Sequence, residues 1–134
     1  MTAPGSSDMR PKVLVADDER LIADTLATIL RGDGFDAATT YSGTEAVRAA
    51  LDWQPDIFLS DVVMPGINGI EAAIQICAMI PNCRVLLLSG QAATLDMLLD
   101  ANGRGHEFEL LLKPIHPTEL LSRLHALGSP PRWD

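Results

Sequence analysis

Short apolar runs alternate along the chain with segments in which apolar residues recur at helical spacing. The runs predict five strands: "KVLVA" (12–16), "FDAAT" (35–39), "DIFLS" (56–60), "RVLLL" (84–88) and "ELLLK" (109–113). Three of these runs are almost continuously apolar. That pattern is typical of a strand covered on both faces, whereas a strand with one wet face alternates between apolar and polar residues.

A helix is predicted after each strand. The first spans 18–31, with Ile22, Leu26 and Ile29 at helical spacing, and ends at the glycines that follow. Capping boxes mark the next two starts, Ser42 with Glu45 and Asn68 with Glu71. The last two helices are predicted at 92–101 and within "HPTELLSRLHAL". The residues expected to face the core from the second, fourth and fifth helices are Val47, Ala50, Leu51, Leu95, Leu98, Leu99, Leu120, Leu121, Leu124 and Leu127.

The alternation of strand and helix predicts an α/β fold. Short connections and right-handed crossovers imply a five-stranded parallel sheet with five helices divided between its two faces. We expect one domain over residues 11–127, between a disordered N-terminal tail (1–10) and a Pro/Gly-rich C-terminal tail (128–134).

Composition narrows the class of function. A net charge of -8 argues against a general nucleic-acid binder, which needs a basic face. No apolar run approaches the ~20 residues that span a bilayer, so we expect no membrane segment. Cys77 and Cys83 are too few for a disulfide framework, which favours reduced thiols and a cytoplasmic protein.

Polar residues follow the predicted strands at the edge of the sheet where ligands bind in such folds. The adjacent Asp17 and Asp18 repel each other, and a bound cation would offset that repulsion. Mg²⁺ suits clustered carboxylates, one of which can attack a phosphoryl group while a lysine and a hydroxyl stabilise its oxygens. The residues at this edge are Asp17, Asp18, Glu19, Asp61, Ser89, Lys113 and Pro114.

Four features together resemble the receiver domains of two-component response regulators: "DDE" at 17–19, "LSDVVMPGINGIE" at 59–71, Ser89, and "KP" at 113–114. The resemblance covers about residues 11–127. It implies a flavodoxin-like (βα)5 fold of the CheY-like type with strand order 2-1-3-4-5.

The resemblance also implies residue roles. Asp61 would accept a phosphoryl group from a sensor histidine kinase, a histidine-phosphotransfer protein or a small donor. Asp18, Asp61 and the carbonyl of Val63 would ligate Mg²⁺ directly, and Asp17 partly through a water. Lys113 would bind the phosphoryl group with help from Ser89. The Lys113–Pro114 bond is expected to be cis.

Three departures from the family pattern affect the expected output. Leu110 stands where receivers carry an aromatic residue that reports phosphorylation, and Phe108 lies two residues earlier. The segment "ANGRGHEFE" (101–109) is longer and richer in glycine than usual. Val63 and Gln91 occupy the positions that tune phosphoryl lifetime, and neither can activate a water, so we predict slow autodephosphorylation.

The favoured hypothesis is a single-domain, CheY-like signalling module that is not a turnover enzyme. It would act through a downstream protein effector or as a relay, without direct contact to nucleic acid or membrane. A homodimer stays an open alternative. One alternative is a degenerate receiver that serves as an unphosphorylated scaffold. The other is a phosphohydrolase of the haloacid-dehalogenase type, which Val63 disfavours because that family needs an Asp two residues after its nucleophile.

Overall fold

The sheet has the predicted architecture. A computed structural model describes residues 10–90, 94–106 and 108–128 of the chain. All strand pairs in it are parallel, and the strand order is β2-β1-β3-β4-β5. The strands are β1 (Lys12–Ala16), β2 (Asp36–Thr40), β3 (Ile57–Asp61), β4 (Arg84–Ser89) and β5 (Glu109–Leu112). The predicted fold class and strand order are therefore confirmed.

A helix follows each strand, as the alternation predicts. The helices are α1 (Arg20–Arg31), α2 (Gly43–Trp53), α3 (Gly69–Met79), α4 (Thr94–Gly103) and α5 (Pro117–Gly128). The predicted start of α1 at residue 18 is two residues early, because Glu19 is still extended at φ -87° and ψ 105°. The predicted tails fall largely outside the described residues.

The sheet is buried on both faces. On one face Leu14, Phe58 and Leu87 pack with α2, α3 and the buried side of α4. On the other face Val15, Leu59 and their neighbours on the strands pack against α1 and α5. This two-sided core explains why the inner strands read as continuous apolar runs.

Two residues expected in the core are instead exposed. Leu51 is 54% exposed and Leu99 is 66% exposed. In α2 the small residues Ala46 and Ala50 take the buried positions, so the helix lies closer to the sheet than a leucine face would allow. The prediction for Leu95 concerns a side chain outside the described residues.

Both predicted capping boxes are present. The Ser42 hydroxyl accepts a hydrogen bond from the Glu45 N–H at 3.1 Å, and the Asn68 side-chain oxygen accepts one from the Glu71 N–H at 2.9 Å. These bonds satisfy N–H groups that have no partner within the helix and fix where α2 and α3 begin. The start of α3 matters most for the site, because it follows Asp61 by only one loop.

Within the described residues, none of the helices has the length and apolarity needed to cross a bilayer.

Candidate functional site

Asp17 is held at the C-terminal edge of the sheet by backbone contacts. Its N–H donates to the Thr40 carbonyl at 3.2 Å, and its carboxylate Oδ1 accepts the Glu19 N–H at 2.9 Å. The residue is only 1% exposed. A carboxylate is therefore fixed in a buried position immediately after β1.

Asp18 and Asp61 complete a cluster with Asp17. One carboxylate oxygen from each of the three lies within 4.8 Å of the others. Asp18 is exposed, whereas the Asp61 side chain at the end of β3 is only 13% exposed. The parallel register brings the ends of β1 and β3 together, which is why Asp61 shares one site with residues 43 and 44 positions before it.

Lys113 provides the positive charge opposite these acids. Its Nζ lies 3.4 Å from Asp61 Oδ1. Its backbone N–H donates to the Ser89 carbonyl at 2.8 Å, and its side-chain stem lies beside Gly90. The bond from Lys113 to Pro114 is cis, as the resemblance implies. Ser89, 1% exposed at the end of β4, thus lies between the strands that carry Asp61 and Lys113.

The electrostatics of the cluster disfavour its charged state. Burial raises the pKa of Asp17, and the nearby charges of Asp61 and Asp18 raise it further. Burial also raises the pKa of Asp61, although the ammonium group of Lys113 partly offsets this effect. The site therefore contains carboxylates whose ionisation would be favoured by an added cation.

The donor set suits a hard divalent cation. Asp17 Oδ2 is buried and has no hydrogen-bond partner among the described residues, although buried carboxylate oxygens ordinarily have one. The surrounding atoms are carboxylate oxygens, which Mg²⁺ prefers over nitrogen or sulfur ligands. The residues present therefore fit a bound Mg²⁺.

Two residues that support Asp61 were not singled out from the sequence. The Ser60 hydroxyl, fully buried, donates to the Asp61 carbonyl at 2.8 Å. Gly69 packs directly on the same carbonyl, and its N–H donates to the Val62 carbonyl at 2.8 Å. A polar residue within an otherwise apolar strand was the sequence signal that could have identified Ser60. The role of Gly69 depends on how α3 packs against the end of β3, which the sequence does not show.

The departures from the family pattern have distinct structural settings. Leu110 and Phe108 are both half-buried on the sheet face covered by α2 and α3. The Phe108 ring stacks on His106 with centroids 5.9 Å apart. Val63 is 45% exposed two residues after Asp61, and Gln91 lies outside the described residues.

Comparison with known proteins identifies the family. Residues 13–125 match the response regulator receiver domain. The DNA-binding response regulator MtrA of Mycobacterium tuberculosis is 33% identical over 118 residues, which are 88% of this chain and 50% of that protein. The transcriptional regulatory protein PrrA of the same organism is 32% identical over 117 residues, 87% of this chain and 49% of that protein. The chain thus spans about half the length of the curated relatives it matches.

Solved structures agree with the sequence match. The chemotaxis protein CheY4 of Vibrio cholerae superposes with a TM-score of 0.78 at 26% identity, covering 88% of this chain and 98% of that one. The response regulator TrrA of Thermotoga maritima, solved with Mg²⁺ and BeF, gives a TM-score of 0.76 at 26% identity, covering 87% and 98%. With the family matched over most of its length and the fold shared, the chain belongs to the response regulator receiver domains of two-component signalling.

Proposed function

We propose that Asp61 is the phosphoacceptor of a Mg²⁺-dependent receiver switch. The observation that carries the proposal is the position of the Asp61 carboxylate, within 4.8 Å of those of Asp17 and Asp18 and 3.4 Å from Lys113 Nζ. The Asp61 carboxylate, the proposed nucleophile, therefore lies beside a cluster of carboxylates able to hold a metal and beside the positive charge of Lys113.

In the proposed step, an Asp61 carboxylate oxygen attacks the phosphorus of the donor. A new phosphorus–oxygen bond forms as the bond from phosphorus to the donor's nitrogen or oxygen breaks, and the donor leaves with the electron pair. Lys113 would stabilise the charge on the transferred oxygens, and the Ser89 hydroxyl would donate a hydrogen bond to one of them.

Asp17, Asp18, Asp61 and the carbonyl of Val63 would hold the metal. Bound Mg²⁺ would neutralise negative charge on the carboxylates and on the phosphoryl oxygens. The buried Asp17 Oδ2, which lacks a hydrogen-bond partner among the described side chains, supports a role for Asp17 beside the cation, directly or through a water.

The partners follow from the same chemistry. A sensor histidine kinase or a histidine-phosphotransfer protein would supply the phosphoryl group, and output would run through contacts with a protein effector. The exposed Leu99 on α4 and Leu112 on β5, 66% and 63% exposed, support such contacts or a homodimer. The net charge of -8 favours protein contacts over direct binding of nucleic acid by this chain. Cys77 and Cys83 are unpaired, which is compatible with the cytoplasm.

The test is phosphorylation by acetyl phosphate in the presence of Mg²⁺, followed by intact-mass measurement. We expect one phosphoryl group per chain, absent in Asp61→Asn and retained in Asp52→Asn, which removes an exposed carboxylate on α2. An adduct that persists in Asp61→Asn would place the acceptor elsewhere. No adduct, together with no response to beryllofluoride, would favour the unphosphorylated scaffold.

A further inference from the structure

Few of the described side chains of helix α4, those of residues 96–103, are buried against the rest of the fold. Ala101 is buried and Met97 and Leu98 are partly buried, while Leu99 is 66% exposed. The neighbouring α3, in contrast, buries five residues: Gly69, Ile70, Ala72, Ala73 and Ile76. Weakly packed elements change position or open more readily than well-packed ones, so α4 is suited to respond to events elsewhere in the domain.

A charged contact joins the end of α4 to the start of α3. The Arg104 backbone N–H donates to the carbonyls of Asp100 and Ala101 at 3.2 and 3.0 Å and closes α4. The Arg104 guanidinium lies 3.2 Å from Glu71 Oε1 and 3.3 Å from Asp100 Oδ2. One side chain therefore bridges a carboxylate on each helix, an arrangement we call the Glu71–Arg104 link.

The other end of this link reaches the backbone of Asp61. Glu71 lies in the first turn of α3, and its N–H is bonded to the side chain of Asn68 at 2.9 Å. Gly69, in the same turn, packs so tightly on the Asp61 carbonyl that a Cβ atom would overlap it. A change in the backbone at Asp61 must therefore be accommodated by the first turn of α3, because no free space separates them.

We propose that the Glu71–Arg104 link couples the chemical state of Asp61 to the position of α4. The inference rests on the proposed function, because it requires Asp61 to gain a phosphoryl group and hence additional negative charge and volume. The route runs through Gly69, Glu71 and Arg104, and does not depend on the residue at position 110. This route would let a domain that has Leu110 in place of the usual aromatic residue still change its surface at α4.

Hydrogen exchange of the 134-residue chain, read by mass spectrometry over α4 with Mg²⁺ present, tests the coupling. In the parent protein, we expect beryllofluoride to change exchange in α4. Without beryllofluoride, Arg104→Gln should exchange about 2- to 5-fold faster there, because an exposed ion pair contributes little but α4 has few other attachments. In the same variant, the response of α4 to beryllofluoride should be lost.

Two further variants separate coupling from general loss of charge. Arg123→Gln also removes one exposed arginine paired with a glutamate, here Glu109, and should keep the α4 response. The exchanged pair Glu71→Lys with Arg104→Glu, combined with Asp100→Asn so that the new carboxylate does not face that of Asp100, should recover part of the response, because it restores a bond between the two helices. If the exchanged pair behaves like Arg104→Gln, the link is not the coupling element.

Intact mass after acetyl phosphate treatment distinguishes the two proposals. If the parent protein gains no phosphoryl group and ignores beryllofluoride, both the proposed function and the coupling are wrong. If it gains the group but α4 does not respond, or Arg104→Gln responds like the parent, only the coupling is wrong. A phosphorylated Arg104→Gln whose α4 no longer responds would support both.

Discussion

Asp17 has an unfavourable environment in the site, because it is a 1% exposed carboxylate with one oxygen that has no partner among the described residues. Folding raises its pKa above the ordinary 3.8, mainly through burial. A raised pKa means that the unfolded chain holds the charge more easily. The ionised carboxylate therefore opposes folding at every pH above the folded pKa, and this penalty disappears as the pH falls towards 3.8.

Asp17→Asn should consequently stabilise the protein at pH 7 without Mg²⁺. The amide removes the charge and can keep the hydrogen bond from the Glu19 N–H. We expect a higher free energy of unfolding than in the parent protein, because burial raises the Asp17 pKa and the amide has no charge to bury. Urea unfolding from pH 7 downwards should show the gain shrinking towards the ordinary pKa, with the exposed Asp52→Asn as control. A less stable Asp17→Asn at pH 7 would contradict this account.

Gly69 has no room for a side chain. An added Cβ would overlap the Asp61 carbonyl and lie 2.9 Å from Ser60 Oγ. Gly69→Ala should therefore shift the start of α3 and cost about 1–3 kcal/mol in the free energy of unfolding, as overpacking does. Phosphorylation of Asp61 by acetyl phosphate should also slow, because the carbonyl of the acceptor itself is displaced.

The effect of Gly69→Ala can be separated from that of any glycine-to-alanine change. Gly103→Ala places its Cβ where no atom lies within 4 Å and should leave both stability and phosphorylation nearly unchanged. Gly43→Ala would meet Ile67 atoms at 2.6 Å, with no Asp61 atom among the three nearest, and should lose stability with a smaller effect on phosphorylation. Equal phosphorylation rates for Gly69→Ala and Gly43→Ala, measured at conditions where both are folded, would show that contact with Asp61 is irrelevant.

At the scale of helices and strands, local sequence signals predict where a helix starts better than they predict which of its faces is buried. The capping boxes at Ser42 and Asn68 depend on residues three positions apart, so they can be read without knowing the fold. The exposure of Leu51 and Leu99 could not be predicted in this way, because the small residues Ala50 and Ala101 are buried in their helices while these leucines are exposed. Which side is buried depends on how closely each helix approaches the sheet.

The two caps allow a prediction at this scale. Ser42→Ala and Asn68→Ala each remove one side-chain acceptor from a helix N-terminus, so each should cost about 1 kcal/mol in the free energy of unfolding. Denaturant midpoints would measure this loss. Only Asn68→Ala should also alter phosphorylation, since α3 begins beside Asp61. Identical phosphorylation of the two variants would mean that the start of α3 is fixed by Gly69 packing alone.

For the molecule as a whole, the position of the site follows from topology. Parallel strands bring Asp17, Asp61 and Lys113 to one edge of the sheet, and their place after apolar runs made this convergence predictable. Two features were not predictable from local pattern. The burial of Asp17 beside an exposed Asp18 and the contact of Gly69 with Asp61 both arise from tertiary packing between distant segments. The roles of the site residues stay predictions that the experiments above test.

The same cluster should link metal binding to global stability. A ligand that binds only the folded state stabilises it, by about 1.4 kcal/mol at ten times its dissociation constant. Adding MgCl₂ should therefore raise the free energy of unfolding of the parent protein, whereas NaCl at equal ionic strength should give a smaller gain by screening alone. The Mg²⁺-specific gain should fall in Asp18→Asn and Asp61→Asn, which remove cluster carboxylates.

The Mg²⁺-specific gain in stability should also diminish at low pH. Protons compete with the cation for the carboxylates, and the pKa values of Asp17 and Asp61 are already raised. Equal gains from the two salts, or a full Mg²⁺ effect in both variants, would show that these aspartates do not hold the cation.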